Sequence, residues 1–402
     1  MWRLAWRNLW RNRTRSVLLL TALVVGYLGM AAIMSVSAGL LEAMLENQVD
    51  HGVGHVQIHA RGFLKDHDIK RSIPDPAGIV RTLRALEPHA LILTRIRVRG
   101  ILASAEGSYP VEILASLPDR EEQHRRLARY LTHGGWPESD RDILIGWKLA
   151  RRLRVRVGDR VVFTTADIHG ELVSDGYRVR GIFDSPSRAL NESVAFIRLS
   201  AGQHLLGYGR GVNEIVIQLP DRSRLTSFYT RLVRRLPPDL EAATWQQLQP
   251  ALQYQVESFT EMNLITVVTV FIAAAFGIMN VFYMALYERL REFGILRAIG
   301  VPPTMPGRLL IREALLLYGC AAVVGNALAL GLYTVFHDRG IDLSRFSDVL
   351  AQVGSDAVIY PRPDYINLAL TLIILFVCML LALIPVMRKI RRISPAEAMR
   401  HV

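Results

Sequence analysis

Four stretches of the chain carry no Asp, Glu, Lys or Arg: Ser16–Leu41 (26 residues), Met262–Tyr287 (26), Ala314–Phe336 (23) and Tyr365–Met387 (23). A helix needs about 20 apolar residues to cross a hydrocarbon core, so each stretch is long enough to span one. Between the first and second, the pattern shortens to the alternation of strands. Val53–Ala60, Ile92–Val98, Pro110–Ser116, Tyr177–Phe183, Ser193–Leu199 and Glu214–Leu219 are predicted strands. Asp142–Arg154 carries a helical pattern that leads into a strand pair over Val155–Phe163, turned at Gly158-Asp159. Leu225–Leu236 is a predicted helix stopped by Pro237-Pro238. Gly39–Glu46 keeps helical apolar spacing beyond the first span, and Trp245–Glu261 starts the second span early. Two helices would then leave the membrane together as a stalk. The expected fold is a membrane protein with four transmembrane helices and a large α+β domain inserted between helices 1 and 2.

Charge orients these spans. Segments 1–15, 288–313 and 388–402 together hold 15 basic and 4 acidic side chains. Segment 337–364 holds three Arg against five Asp, and 42–261 is nearly balanced, with 30 basic and 27 acidic residues. Lys and Arg collect on the cytoplasmic side of spanning helices. Both termini are therefore expected in the cytosol, with residues 42–261 and 337–364 outside. The expected division is 1–15 cytosolic amphipathic helix, 16–41 first span, 42–261 periplasmic α+β domain with stalk helices, and 262–287 second span. It continues as 288–313 cytosolic coupling helix and loop, 314–336 third span, 337–364 periplasmic loop, 365–387 fourth span and 388–402 cytosolic tail. The net charge of +12 thus comes from short juxtamembrane clusters. That excludes a nucleic-acid-binding face as well as an ordinary soluble enzyme. The first apolar run exceeds a signal-peptide core of about 7–15 residues and reads as an uncleaved anchor. Both cysteines, Cys320 and Cys378, fall inside spans, so the outer domain must fold without disulfides.

Catalytic chemistry is missing. The sequence has no G-x-x-x-x-G-K-[S/T], H-E-x-x-H or G-x-S-x-G. His51, His55 and His59 fall four apart, but Gly52 and Gly54 should interrupt a helix there. A solvated strand face is the expectation, and no metal site. The run Arg151–Arg156 reads as a solvated face with Leu153, Val155 and Val157 turned inward. In residues 2–11, Trp2, Trp6, Leu9 and Trp10 share one helical face while Arg3, Arg7 and Arg11 share the other. This is the signature of an interfacial membrane helix.

The informative polar segment is 288–300. It extends the second span directly and stops at Gly300-Val301-Pro302-Pro303. Glu288 with Arg291, and Arg289 with Glu292, are at pairing distance along a helix. Leu290, Phe293, Leu296 and Ile299 leave apolar knobs ringed by charge, the pattern of a helix that fits a groove on another protein. Ser394-Pro395-Ala396-Glu397 is a capping box that should start a short helix, Pro395–Met399. Within the second span, Ala273, Gly277 and Asn280 form a stripe suited to close helix packing or a dimer face. Asn326 is a second intramembrane amide. No ionisable residue sits in mid-span, which speaks against a proton relay or ion-driven transporter.

These features together resemble the permeases of the MacB, FtsX and lipoprotein-releasing (LolC/LolE-like) superfamily of ABC transporters, type VII. The resemblance covers nearly the whole length. Its most specific part is Gly277-Ile278-Met279-Asn280-Val281 followed by Glu288-Arg289 and Arg291-Glu292-Phe293-Gly294-Ile295-Leu296-Arg297-Ala298-Ile299-Gly300, similar to the family's second span and coupling helix. Ala5–Leu9, Ile145–Leu153 with Val157-Gly158-Asp159, and Ser394–Arg400 resemble the family's N-terminal, outer-domain and tail motifs. The outer loop ending Ile359-Tyr360-Pro361 looks most like the Lol-type branch.

The resemblance implies a non-catalytic permease subunit with no cofactor of its own, ATP and Mg being bound by a partner ATPase. Implied partners are a cytosolic ABC ATPase dimer, a second permease copy or paralogue, and a periplasmic carrier or lipoprotein. The implied coupling residues are Glu288, Arg291, Glu292, Phe293, Gly294, Leu296 and Arg297. The implied mechanism is mechanotransmission, in which ATP binding inside moves the outer domains and releases lipoprotein or lipid from the inner membrane. Two alternatives stay open: efflux of amphiphiles or peptides through a tripartite assembly, and FtsX-like regulation of a periplasmic hydrolase. A plain receptor that binds no ATPase is a further rival from another class.

Overall fold

A computed structural model describes residues 2–11, 13–185, 187–288, 295, 301–302, 304–346, 358–361 and 365–392. The chain divides into two compact units. One comprises 1–41, 256–342 and the described part of 358–402; the other comprises 42–255 and the described part of 343–357. The predicted tail helix and its capping box lie outside the described residues.

The first unit is helical. Its long helices are Arg13–Leu45, Pro250–Glu288, Thr304–Arg339 and Tyr365–Arg392. All four are long and apolar enough to cross a membrane. They pack through one shared cluster that includes Leu23, Tyr27, Phe282, Leu317, Met379 and Leu383. Other apolar side chains point away from it: Leu18, Ile265 and Val323 are 66, 65 and 72% exposed. That is the surface a lipid solvent requires. The Tyr27 hydroxyl donates to Asn326 Oδ1 at 3.0 Å, so the oxygen of this amide is satisfied within the chain. Gly325 makes the approach possible, since a Cβ there would stand 2.8 Å from the Tyr27 ring.

The short helix Trp2–Arg11 is amphipathic, but its faces differ from the expectation. Ala5 and Leu9 are buried, while Trp2, Trp6 and Trp10 are about half exposed. Leu9 thus serves packing, and the tryptophans face outward together with Arg3, Arg7 and Arg11. Arg13 stands over the Trp10 ring and Arg312 over Trp2.

The second unit is α+β. Its strands are β1 (Val56–Ala60), β2 (Leu91–Ala103), β3 (Ser108–Ser116), β4 (Leu131–Gly134) and β5 (Asp142–Gly146). They continue with β6 (Arg160–Ala166), β7 (Leu172–Phe183), β8 (Val194–Arg198), β9 (Glu214–Gln218) and β10 (Leu240–Thr244). Pairing runs β2–β3–β8–β5–β7–β6 and returns to β2, a closed circuit of six strands. Closure removes the free edges that such long strands would otherwise expose. Ile113, Ile145, Phe163 and Val179, one alternate set on four of these strands, are all fully buried. The first half of β2 instead pairs with β9, which continues through β1 to β10. Gly100 sits where β2 turns towards β6. A Cβ there would lie 2.4 Å from the Thr164 carbonyl oxygen, so no larger residue fits.

Three local expectations need correction. Asp142–Gly146 is a strand, and only Trp147–Leu153 is helical. Ile143, Leu144 and Ile145 are all fully buried between β7 and β8, so both strand faces are apolar and the alternation vanishes. Val155–Val157 forms no strand but a turn into β6, with Val157 43% exposed. Finally, Gly52 does not interrupt the helix before β1. Glu46–Val53 is π-helical, and the chain turns at Gly54.

Candidate functional site

The helix Arg13–Leu45 runs past residue 41 and is continued by the π-helical Glu46–Val53. Such wide turns are rare, and they concentrate at functional positions. Here the turn ends because Gly54 adopts φ 79° and donates its N–H to the Val49 carbonyl at 2.7 Å. A Cβ at Gly54 would also meet Val216 Cγ1 at 2.3 Å.

What holds this segment is polar and buried. The Gly52 carbonyl accepts from Arg125 Nη2 at 3.1 Å and lies 3.2 Å from His124 Nε2. Facing a carbonyl, that ring nitrogen carries the proton. Burial first, then the neighbouring Arg125 charge, pushes the His124 pKa down to about 4. Asp50 lies 2.8 Å from His55 Nε2 and 3.3 Å from Arg222, which reaches Glu42 at 2.5 Å. His55 Nδ1 accepts the Leu219 N–H at 2.8 Å. His59 is held between Gln57 and the Asn213 carbonyl, and burial lowers its pKa. Both His55 and His59 are buried, not solvated as the strand pattern suggested.

Behind the segment lies an ion network. Arg95, fully buried on β2, pairs with Glu214 and lies 3.5 Å from Glu121. Arg125 binds Glu121 at 2.7 Å, Arg97 binds Glu214 and Glu112 at 2.8 Å each, and Arg99 reaches Glu112 at 3.4 Å. Burial alone would raise the Glu214 and Glu121 pKa values. The facing guanidinium groups outweigh it and hold both carboxyls below the ordinary range. The network therefore joins β2, β3, β9 and the helix Pro118–Arg125 to the carbonyl end of the π-helical turn. Sequence reasoning missed it. The one signal was Arg95, two residues after Leu93 on the parity of a buried strand face.

The expected site residues lie away from this network or outside the described residues. Glu288 is exposed at the end of the second long helix. Arg291, Glu292, Phe293, Gly294, Leu296 and Arg297 lie outside the described residues. Ala273, Gly277 and Asn280 are exposed, while Ile278, Phe282 and Leu286 of the same helix turn into the core. A Cβ at Gly277 would meet nothing within 4 Å. Among the described residues, no three His, Cys, Asp or Glu side chains gather as a metal site.

Two family models match in sequence order. The MacB-like periplasmic core domain matches residues 16–235, and the FtsX-like permease C-terminal model matches 264–395. The first alone spans more than half of the chain. The chain belongs to the MacB/FtsX-like superfamily of ABC-transporter permeases. Members of this superfamily are transmembrane, generally non-catalytic subunits that work with a cytosolic ABC ATPase. A MacB-like periplasmic domain joined to apolar helices is the make-up of an inner-membrane permease.

Solved structures show likeness to part of the permease. The periplasmic region of MacB from Actinobacillus actinomycetemcomitans is 14% identical, covers 52% of this chain and 97% of its own, and has a TM-score of 0.36. The extracellular domain of the noncanonic ABC-type transporter YknZ from Gram-positive bacteria is 11% identical, covers 47% and 99%, and scores 0.33. A permease-protein domain from Porphyromonas gingivalis is 15% identical, covers 47% and 85%, and scores 0.28. No curated protein matches the chain.

Proposed function

We propose that this permease converts ATP hydrolysis by separate cytosolic ATPase subunits into movement of its outer domain, and that the movement releases lipoprotein or lipid from the inner membrane. Residues 42–261 and 337–364 face the periplasm in this reading, while 1–15, 288–313 and 388–402 face the cytosol. Two permease copies or paralogues act together, and Ala273, Gly277 and Asn280 supply a face between them. Glu288, Arg291, Glu292, Phe293, Gly294, Leu296 and Arg297 form the helix that the ATPase pushes. Phe293 and Leu296 are its knobs, and Gly294 lets its backbone approach the ATPase groove.

One observation carries the reading. The first long helix continues into a π-helical segment whose Gly52 carbonyl is held by the buried side chains of Arg125 and His124. A helix ended by water-exposed loops would dissipate a push. One whose end is hydrogen-bonded to a buried network transmits it to the sheet. The two charge-poor spans that flank the domain suit contact with an outer-leaflet lipid.

The test is Gly294→Trp in the permease–ATPase complex. Permease-stimulated ATPase activity should fall at least tenfold, with membrane insertion and outer-domain melting unchanged. Stimulated activity at the wild-type level would remove 288–300 from the coupling role.

A further inference from the structure

The helical unit sets a row of exposed charge on its short first helix. Trp2–Arg11 buries Ala5 and Leu9 and lies against the Thr304–Arg339 helix. Trp2, Trp6 and Trp10 form one row along its open side, and Arg3, Arg7 and Arg11 form the adjoining row about 100° round the axis. Successive members of a row stand one turn apart, at about 6 Å. The Ser16 hydroxyl donates to the Leu9 carbonyl at 2.7 Å and ties this helix to the start of the first span. Two more arginines close over the ends of the tryptophan row. Arg13 lies 5.9 Å from the Trp10 ring centre and Arg312 5.7 Å from that of Trp2. An arginine seated over an indole ring is positioned without spending an N–H on a carboxylate, so its donors stay open to a phosphate.

Charge at this end is one-sided on the elements that reach it. No acid precedes Glu42 in the chain. Beside Arg312, the Thr304–Arg339 helix exposes Arg308, and the last long helix, whose Met387 fills the space beside Gly307, exposes Arg388 and Lys389. The acids described on these helix ends are Glu313, 2% exposed and so beneath the surface, and Glu288, which already has an interaction of its own. Arg11 likewise has a contact, but the side chains of Arg3, Arg7 and Arg13 take no ion pair or hydrogen bond among the described residues. Depth points the same way. Arg13 and Arg312 come shortly before the charge-free stretches Ser16–Leu41 and Ala314–Phe336, where head groups meet hydrocarbon.

We propose that this surface binds the head groups of anionic phospholipids, their phosphates at Arg3, Arg7 and Arg13 and their glycerol and upper chains against Trp2, Trp6 and Trp10. Guanidinium groups hold phosphate through paired N–H donors. Indole suits the neighbouring depth, because its ring is apolar and its N–H is not. A zwitterionic lipid brings an ammonium along with its phosphate, and the arginine row repels it. A net anionic head group gains about fivefold for each arginine near it. The site is independent of force transmission, because occupancy needs neither the ATPase nor movement. It is also independent of which side of the membrane this end faces.

Trp2, Trp6 and Trp10 are the tryptophans of the helical unit, and the other three, Trp136, Trp147 and Trp245, belong to the α+β unit. Tryptophan quenching by brominated lipid therefore reads this surface. The full-length permease is placed in nanodiscs of mixed phosphatidylglycerol and phosphatidylcholine. In one series the first lipid is brominated high in its acyl chains, in the other the second. The ratio of the two association constants should favour phosphatidylglycerol at least tenfold. Replacing Arg3, Arg7 and Arg13 together by Gln should bring that ratio below twofold, while replacing the same three by Lys keeps it within threefold of the wild type. All three positions are exposed, so the helical unit's resistance to proteolysis should not change. Quenching blind to the head group, a preference that survives the Gln variant, an equal loss in the Lys variant, or quenching that persists when Trp2, Trp6 and Trp10 are replaced by Phe would overturn the proposal.

Discussion

The helical unit and the α+β unit of this permease solve opposite burial problems. The outer domain buries charge: Arg95, Glu121 and Glu214 are fully enclosed, and each is held by partners of opposite sign. The helical unit exposes oil: Leu18, Ile265 and Val323 stand out at 65–72% exposure, and polar groups such as Tyr27 and Asn326 meet one another inside it. Apolar exposure therefore has no meaning until the solvent is named. The same 83% exposure that is ordinary on a lipid-facing helix marks Leu172 as unusual on a domain facing water.

The comparison breaks most visibly at Arg95. Removing one partner of a buried ion network strands the others, at a cost of about 3–5 kcal/mol. Arg95→Met should lower the unfolding free energy of the outer domain, read from urea melts of the intact permease, by that much and leave the helical unit's resistance to proteolysis unchanged. A loss below about 1 kcal/mol would mean that the network is solvated and holds nothing.

Acid provides the next effect. His124 has a pKa of about 4 in the folded domain against 6.5 for the free side chain, and burial lowers His59 in the same sense. Between pH 6.5 and 4 the unfolded chain takes up protons that the folded one refuses, so stability falls as pH drops, by about 1.4 kcal/mol per pH unit and proton. Glu121 and Glu214 are lowered as well, by the facing guanidinium groups, and they too favour the folded domain away from acid. Their contribution is full above about pH 4.5 and is lost only as pH falls through their lowered folded values. His124→Gln should remove one proton's share of the slope in pH-dependent urea melts. An unchanged slope would show that His124 is already solvated.

The smallest effect belongs to the helices. Tyr27→Phe deletes one interhelical hydrogen bond, and such bonds within membranes contribute about 0.6 kcal/mol. Steric-trap or detergent unfolding of the helical unit should register that loss, with the outer domain unaffected. A loss above about 2 kcal/mol would make the pair a structural keystone rather than one contact among many.

The same contrast explains what could be read from the sequence. The spans announce themselves because lipid imposes a single rule on some twenty consecutive residues. A strand with one wet face, such as the Tyr177–Phe183 part of β7, shows through its alternation. Asp142–Gly146 did not, because both of its faces are covered and Ile143-Leu144-Ile145 gives no period. The charged network was hidden for another reason. Arg95, Glu121 and Glu214 are far apart in the chain, and Arg95-Ile96-Arg97-Val98-Arg99 reads as a solvated edge although its first arginine is fully buried. Tertiary pairing alone brings them to the end of the π-helical turn. The expected coupling residues from Arg291 to Arg297 rest on their sequence pattern, and only Glu288 among the named ones has a described position.

Hydrogen exchange on the intact complex addresses the central claim most directly. The permease is assembled with a hydrolysis-deficient ATPase partner, and amide exchange is compared with and without ATP. Force transmitted through the first long helix predicts that ATP alters protection of the amides of 46–55 and of 121–126, where Gly52 meets His124 and Arg125. Changes confined to the ATPase and to 288–300, with the outer domain exchanging identically in both states, would contradict it.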